Sequence, residues 1–175
     1  AGTLNTAGTL SVGASACMVS RATAFVGTDT ALTHVAAALG VPTIALFGPS
    51  NPVKWGPWPR NHPPESDPWH RYGSQHVGNV TLLQGVASCV PCGLEGCDRD
   101  VSSYSDCLLQ LSPKKVIAAL EASTVNQHVP ENTAYITNCP IGCAGPLAAT
   151  AIVLPEGPLM RCSSCGQITS QASEA

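Results

Sequence analysis

The stretch at residues 24–47 constrains the fold more than any other part of the chain. Residues 24–27 and residues 43–47 are short apolar runs, which are typical of buried parallel strands. Between them, four apolar residues recur at helical spacing and define one face of a helix: Leu32, Val35, Ala36 and Leu39. Gly40 ends this helix, and Pro42 cannot continue it. The stretch therefore predicts a βαβ unit and an α/β fold class.

The flanking segments extend this unit into a domain. Residues 9–23 predict a weak helix, and residues 79–83 favour a further strand. Residues 49–68 are rich in proline and aromatic side chains, which predicts a rigid loop without regular structure. A last helix, reaching Leu120, is expected to open on Ser112-Pro113, because serine is a good N-cap and proline suits the first helical position.

Three parts are predicted along the chain. Residues 1–122 form an α/β domain, the polar residues 123–134 form a linker, and residues 135–175 form a small cysteine-rich module. The sequence begins without Met and without a basic, apolar leader, so we expect a fragment of a longer reading frame without a signal peptide.

The composition and the apolar pattern argue against nucleic-acid binding and against a transmembrane helix. The net charge is −3 and the basic residues are not clustered, which argues against nucleic acid, since phosphate binding depends on Lys and Arg. No apolar stretch is long enough for a transmembrane helix, because Gly40 and Pro42 interrupt the longest candidate at residues 35–47. Charged residues make up only 11% of the chain, which indicates that part of its surface is normally covered.

The start of the predicted helix is a candidate anion site. The first turn of a helix has unpaired N–H groups and a partial positive charge, and here it lies at the C-terminal edge of a parallel sheet. The loop at residues 47–52 leaves the next strand at the same edge, so both loops could flank one ligand. The structural alternative is that Asp29 or Thr30 is only an N-cap and that His34 is only a satisfied helix residue.

Eight of the nine cysteines fall in two groups, and their spacing is compatible with metal binding. The first group has irregular spacing and leaves zinc, free thiols and disulfides open as alternatives: Cys89, Cys92, Cys97 and Cys107. The second group has zinc-ribbon spacing, and a module this small needs a structural Zn²⁺: Cys139, Cys143, Cys162 and Cys165. Cys17 lies outside both groups and is predicted to be a buried apolar residue.

The run DTALTHVAAALGVPTIALFGPSNPVKWGP, from Asp29, resembles the motif of glycosyltransferase family 9, the ADP-heptose:lipopolysaccharide heptosyltransferases. The resemblance covers residues 9–122, including the cysteines that follow the motif. It implies the Rossmann-like C-terminal half of a GT-B enzyme, which binds a nucleotide-diphosphate sugar such as ADP-heptose. It implies transfer to lipopolysaccharide core or a related surface glycan.

The resemblance also implies roles for residues of the motif. The backbone N–H groups of Thr30, Ala31 and Leu32 would hold the donor diphosphate, and Asp29 would face hydroxyls of the sugar. The remaining donor-site residues implied by the family are His34, Gly48 and Ser50. Ala31 stands where the family usually has glycine, and this departure puts a tight approach of the donor in question.

The family further implies an inverting, metal-independent reaction. Its catalytic base comes from an N-terminal half that this sequence lacks, so we expect the chain to be inactive alone. Upstream of the motif, Arg21 is the only nearby cation. The acceptor would be a glycan or glycolipid, and the location would be cytoplasmic, with peripheral attachment at the inner membrane as an alternative.

The segment IVLPEGPLMRCSSCGQ, at residues 152–167, resembles the zinc-binding leader of some class I SAM-dependent methyltransferases. This resemblance implies structural zinc in the C-terminal module. Two alternatives to a transferase half therefore remain open. The chain could be a non-catalytic zinc-ribbon scaffold, or part of a fusion between a transferase and a methyltransferase.

Overall fold

The structure, a computed structural model, describes residues 3–100 and 102–124, and the backbone of three strands nearer the C-terminus. The described residues divide into two compact units. The first, here called the α/β unit, runs from Val19 to Thr124. The second joins the residues up to Met18 with the three C-terminal strands. Each unit is described by itself.

The predicted βαβ motif is confirmed. Helix α1 (Val12–Ser20) is followed by strand β1 (Phe25–Thr28), helix α2 (Ala31–Leu39) and strand β2 (Thr43–Phe47). The two strands pair in parallel, with Phe25 opposite Thr43. Gly40 has a φ of 82° and donates its N–H to the carbonyls at the end of α2, as expected for a glycine that ends a helix.

The rest of the α/β unit extends this sheet. Helix α3 (Pro52–Trp55), strands β3 (Gln75–Val77) and β4 (Val80–Gln84), and helices α4 (Asp106–Leu109) and α5 (Pro113–Thr124) follow in order. The strand order is β1-β2-β4-β3, with β4 parallel to β2 and β3 antiparallel to β4. Ser112 caps α5 as predicted, because its Oγ accepts the N–H of Lys115 at 3.3 Å. No helix in residues 3–100 and 102–124 is long and apolar enough to cross a bilayer.

Three local predictions were wrong. The proline-rich loop, predicted to lack regular structure, contains a one-turn helix, α3. Separately, strand β3, which forms a hairpin with β4, had no prediction. Strand β1 is only half-buried, and Val26 is 42% exposed, because β1 lies at the edge of the described sheet. The buried face of α2 is formed by Thr33, Ala36 and Ala37, whereas Leu39 is exposed. These small side chains are the ones that sit between the helix and the sheet.

The core lies around the central strand β2. Buried side chains of α2, β2 and β4 pack together there with one indole: Ala37, Ala45, Phe47, Val80, Leu82 and Trp69. Trp69 follows the proline-rich loop and is only 3% exposed. Its Nε1–H donates to the Pro57 carbonyl at 3.1 Å, so the buried indole leaves no unsatisfied donor. Trp69 thereby fastens the long loop to the core.

Asn79, in the β3–β4 turn, fixes the end of α2. Its Nδ2 donates to the carbonyls of Ala37 and Val41 at 3.0 and 2.9 Å, and its Oδ1 accepts the backbone N–H of Arg60 at 2.9 Å. The Arg60 guanidinium in turn donates to the Leu39 carbonyl at 3.1 Å. With its C-terminal end held in this way, α2 presents its N-terminal end at the opposite edge of the sheet.

The second unit contains a three-stranded antiparallel sheet. Its strands are β5 (Leu147–Leu154), β6 (Gly157–Cys162) and β7 (Ile168–Ser170), in the order β5-β6-β7. Helix α5 continues two residues into the predicted linker. Three members of the predicted zinc site, Cys139, Cys143 and Cys165, lie outside the described residues, as does the side chain of Cys162.

Candidate functional site

Two loops leave the same edge of the sheet. Because β1 and β2 are parallel, their carboxyl ends lie side by side, with Thr28 opposite Leu46. The first loop is the short turn into α2, and the second follows Phe47 toward α3. Ligands of open α/β sheets bind outside the carboxyl ends of the strands. This edge is therefore the candidate site, as the sequence predicted.

The N-terminal end of α2 offers free backbone donors. Thr30 is the N-cap residue, with φ −143° and ψ 162°, but its side chain makes no cap hydrogen bond. Its carbonyl accepts the N–H groups of Thr33 at 3.0 Å and His34 at 3.4 Å. The N–H groups of Ala31 and Leu32 have no hydrogen-bond partner in the described part of the chain. Two donors at the positive end of the helix are thus available to an anion.

Thr33, which the sequence analysis did not identify, closes the turn between β1 and α2 in place of a side-chain cap. Its buried Oγ1 donates to the Thr28 carbonyl at 2.6 Å and lies 3.3 Å from the Thr30 hydroxyl. A Cβ at Gly27 would lie 2.7 Å from the Thr33 Oγ1, so this close approach requires glycine. No sequence signal could have identified it, because Thr33 lies off the apolar face that helical spacing predicts.

Ala31 is compatible with the helix start. Within residues 3–100 and 102–124, the non-glycine residues with positive φ are Asn61 and Arg99, so Ala31 does not need the conformation that favours glycine. Its side chain is exposed, and its N–H remains free. The replacement of glycine therefore imposes no backbone strain here.

Asp29 and His34 form a pair at the rim of this turn. The His34 Nε2 lies 3.5 Å from the Asp29 Oδ1, and the side chains are 43% and 25% exposed respectively. A pair at this distance and exposure contributes little to stability. The turn that carries the free N–H groups therefore also carries a carboxylate and an imidazole, and both are accessible to a ligand.

The second loop is positioned by packing against α4. Gly48 is buried, and a Cβ there would lie 2.7 Å from both the Cys107 Sγ and the Leu108 Cγ. Ser50 is half-buried, and the next residue, Asn51, caps α3 by accepting the Val53 N–H at 3.2 Å. Gly48 is therefore needed for packing, whereas Ser50 is partly accessible.

The first cysteine group consists of free thiols of unequal exposure. Cys89 and Cys97 are exposed, Cys92 is half-buried, and Cys107 is 3% exposed. Burial raises the pKa of the Cys107 thiol; a Leu108 backbone hydrogen bond opposes this, and the Cys92 and Cys97 thiols raise it further. No three His, Cys, Asp or Glu side chains in residues 3–100 and 102–124 are arranged to hold a metal ion.

Two smaller predictions concern single residues. Cys17, expected to be buried, is half-buried. Arg21, the nearest cation upstream of the motif, is exposed. In the described part of the chain, no hydrogen bond or ion pair joins Arg21 to the start of α2.

Comparison with known proteins places the similarity over this site. Residues 2–66 match the family model of glycosyltransferase family 9 (heptosyltransferase). Lipopolysaccharide heptosyltransferase 1 of Pseudomonas aeruginosa is 32% identical over 124 residues, which cover 65% of this chain and 30% of that protein. Lipopolysaccharide heptosyltransferase 3 of Escherichia coli is 41% identical over 44 residues, 25% of this chain and 13% of that protein. No solved structure matches. The chain is therefore similar to family 9 across β1, α2 and β2, and spans less than a third of the P. aeruginosa relative.

Proposed function

We propose that this chain is the donor-binding half of a GT-B glycosyltransferase that uses a nucleotide-diphosphate sugar. The observation that carries the proposal is the free Ala31 and Leu32 N–H pair at the start of α2, beside Asp29 and His34. The match of residues 2–66 to family 9 and the heptosyltransferase relatives support a glycosyltransferase.

In this proposal the diphosphate and the sugar bind to different parts of the turn. The diphosphate sits on the free N–H groups, where the helix dipole favours negative charge. Asp29 accepts hydrogen bonds from sugar hydroxyls, because a carboxylate directed at phosphates would repel them. Its partial exposure and weak pairing with His34 leave its oxygens available for this role.

His34 and the second loop complete the proposed pocket. His34 lies beside Asp29 and supports the site near the phosphate or the sugar. Ser50 and the backbone of Gly48 form the other wall, which α4 keeps in place. The leaving nucleoside diphosphate gains charge during transfer, and preorganised N–H donors stabilise that charge without a metal ion.

The proposal includes an inverting displacement whose base comes from a second Rossmann-like half. The acceptor would be lipopolysaccharide core or a related glycan, in line with the names of the relatives. The 175-residue chain would then bind the donor without transferring the sugar. Its location would be cytoplasmic or peripheral at the inner membrane.

Isothermal titration tests the donor site. ADP should bind the chain more tightly than UDP, and ADP-heptose should bind more tightly than ADP because Asp29 contacts the sugar. Asp29→Asn should remove the gain from the sugar and leave ADP binding intact. Asp67→Asn, a matched change at an exposed carboxylate, should alter neither. If folded protein binds no nucleotide, even when supplied with the rest of the transferase, the proposal is wrong.

We also propose structural zinc in the C-terminal module, held by the second cysteine group. The support is the zinc-ribbon spacing and the small three-stranded sheet, which can bury little apolar surface. A zinc-ribbon scaffold without transferase activity is the competing function. Zinc content that falls on replacing Cys139 by Ser would support the metal, and unchanged content would reject it.

A further inference from the structure

Backbone and packing contacts place members of the first cysteine group near the loop that follows β2. The Cys107 Sγ is packed against Gly48. The Pro49 carbonyl, one residue further, accepts the Gly93 N–H at 2.8 Å, which brings the residue after Cys92 to the same loop. Gly93, which follows Cys92, and Cys107 therefore both lie against Gly48–Pro49, although they are distant in sequence.

Cys97 also lies close to Cys107 in the structure. Its Sγ accepts the backbone N–H of Asp106 at 3.3 Å, and Asp106 directly precedes Cys107. The Cys97 N–H also donates to the Tyr104 carbonyl at 2.9 Å, which closes the intervening turn. Cys97 therefore lies beside the first turn of α4, next to Cys107.

The segment that carries these thiols has little else to hold it. Among the described residues between β4 and α4, 85–100 and 102–105, there is no helix or strand, and most of their side chains are exposed or half-buried. Among the described side chains of this segment, Val90 is the one large apolar side chain that is buried. Loops of this length without regular structure are uncommon in compact domains unless something fixes them. The cysteines are the residues placed to do so.

We propose that this segment binds one Zn²⁺ ion through Cys92, Cys97 and Cys107, with Cys89 as the fourth ligand. Cys89 and Cys92 have the two-residue spacing of a zinc knuckle, and four thiolates form a closed tetrahedral site. The four thiols are free in the structure and do not form a closed shell, so the exposed side chains turn onto Cys107 when the ion binds.

Binding would couple the segment to the sheet edge. The thiols lose their protons to solvent as the zinc–sulfur bonds form, and the loop is then fixed against Gly48. The role is structural, because four protein ligands leave no open position for a substrate. It does not depend on the proposed sugar donor, so either proposal can fail without the other.

Alkylation followed by trypsin separates the cysteine groups. Cleavage after Arg and Lys places Cys89, Cys92 and Cys97 in peptide 72–99 and Cys107 in peptide 100–114. The predicted C-terminal ligands fall in other peptides. Zinc added to the metal-free, reduced chain should slow iodoacetamide labelling of peptides 72–99 and 100–114 several-fold. Labelling of Cys17, in peptide 1–21, should not change. Equal labelling of the two peptides with and without zinc would overturn the proposal.

Zinc content of variants provides the second test. Cys97→Ser changes an exposed residue, so the fold should survive, and it should bind one zinc ion fewer per chain than Cys17→Ser. Because all variants retain the C-terminal cysteines, the difference reports the first group alone. Equal zinc content in the two variants would refute the site, as would a disulfide between any two of its cysteines in protein purified under reducing conditions.

Discussion

Replacing Asn79 by Asp should destabilise the α/β unit far more than the same replacement at Asn61. The Asn79 Nδ2 donates to two carbonyls at the end of α2, and its Oδ1 accepts one N–H. Aspartate keeps the acceptor but directs a second, charged oxygen at the Ala37 and Val41 carbonyls. Asn61 has positive φ, which both Asn and Asp tolerate, so it is a matched control.

The expected loss follows from the bonds removed. Each neutral hydrogen bond contributes about 0.5–1.5 kcal/mol, so losing two costs about 1–3 kcal/mol, and repulsion between oxygens adds to this. Each carbonyl keeps another donor, the Gly40 N–H on Ala37 and the Thr43 hydroxyl on Val41. We therefore expect Asn79→Asp to lower the free energy of unfolding by about 2 kcal/mol. Asn61→Asp should cost less than about 0.5 kcal/mol.

Urea unfolding followed by tryptophan fluorescence measures this difference. All three Trp residues, Trp55, Trp58 and Trp69, lie in the α/β unit, so the signal reports that unit alone. The midpoint should fall for Asn79→Asp with an unchanged m-value. Equal midpoints for Asn79→Asp and Asn61→Asp would show that Asn79 does not hold the end of α2, and the reasoning would fail.

Two further changes test the sheet edge. Thr33→Val should cost about 1–2 kcal/mol in urea unfolding because the Thr28 carbonyl loses its 2.6 Å partner. Thr30→Val, which removes only the 3.3 Å contact with the Thr33 hydroxyl, should cost less, and equal effects would contradict the role of Thr33. Gly48→Ala should cost about 1–3 kcal/mol through overpacking against Cys107 and Leu108. Removing the Cys107 sulfur in Gly48→Ala/Cys107→Ala should make the two changes less than additive, and strict additivity would argue against that contact.

Local sequence signals determined the βαβ motif. Apolar runs, helical spacing and the stop at Gly40 act over a few residues, so β1, α2 and β2 could be predicted with nearly correct ends. Asp29, Thr30, Ala31 and Leu32 follow from the same logic, because the turn after a parallel strand always opens at the carboxyl edge. Their proposed roles rest on the family resemblance as well.

Tertiary contacts decided what periodicity could not. Leu39 lies on the apolar stripe but is exposed, while Thr33 and Ala37 are buried, because close packing on the sheet selects small side chains. Likewise, spacing gave no indication that Cys107 would pack on Gly48, or that Asn79 would hold a helix forty-odd residues earlier in the chain.

The sequence by itself determined the succession of β1, α2 and β2 and the place of the turn with free N–H groups at the start of α2, since both depend on neighbours along the chain. Only the tertiary structure decided which side chains close that turn and which segments brace it. Thr33, Gly48 and Asn79 act through partners on other elements or across a turn, and such contacts exist only once the chain has folded.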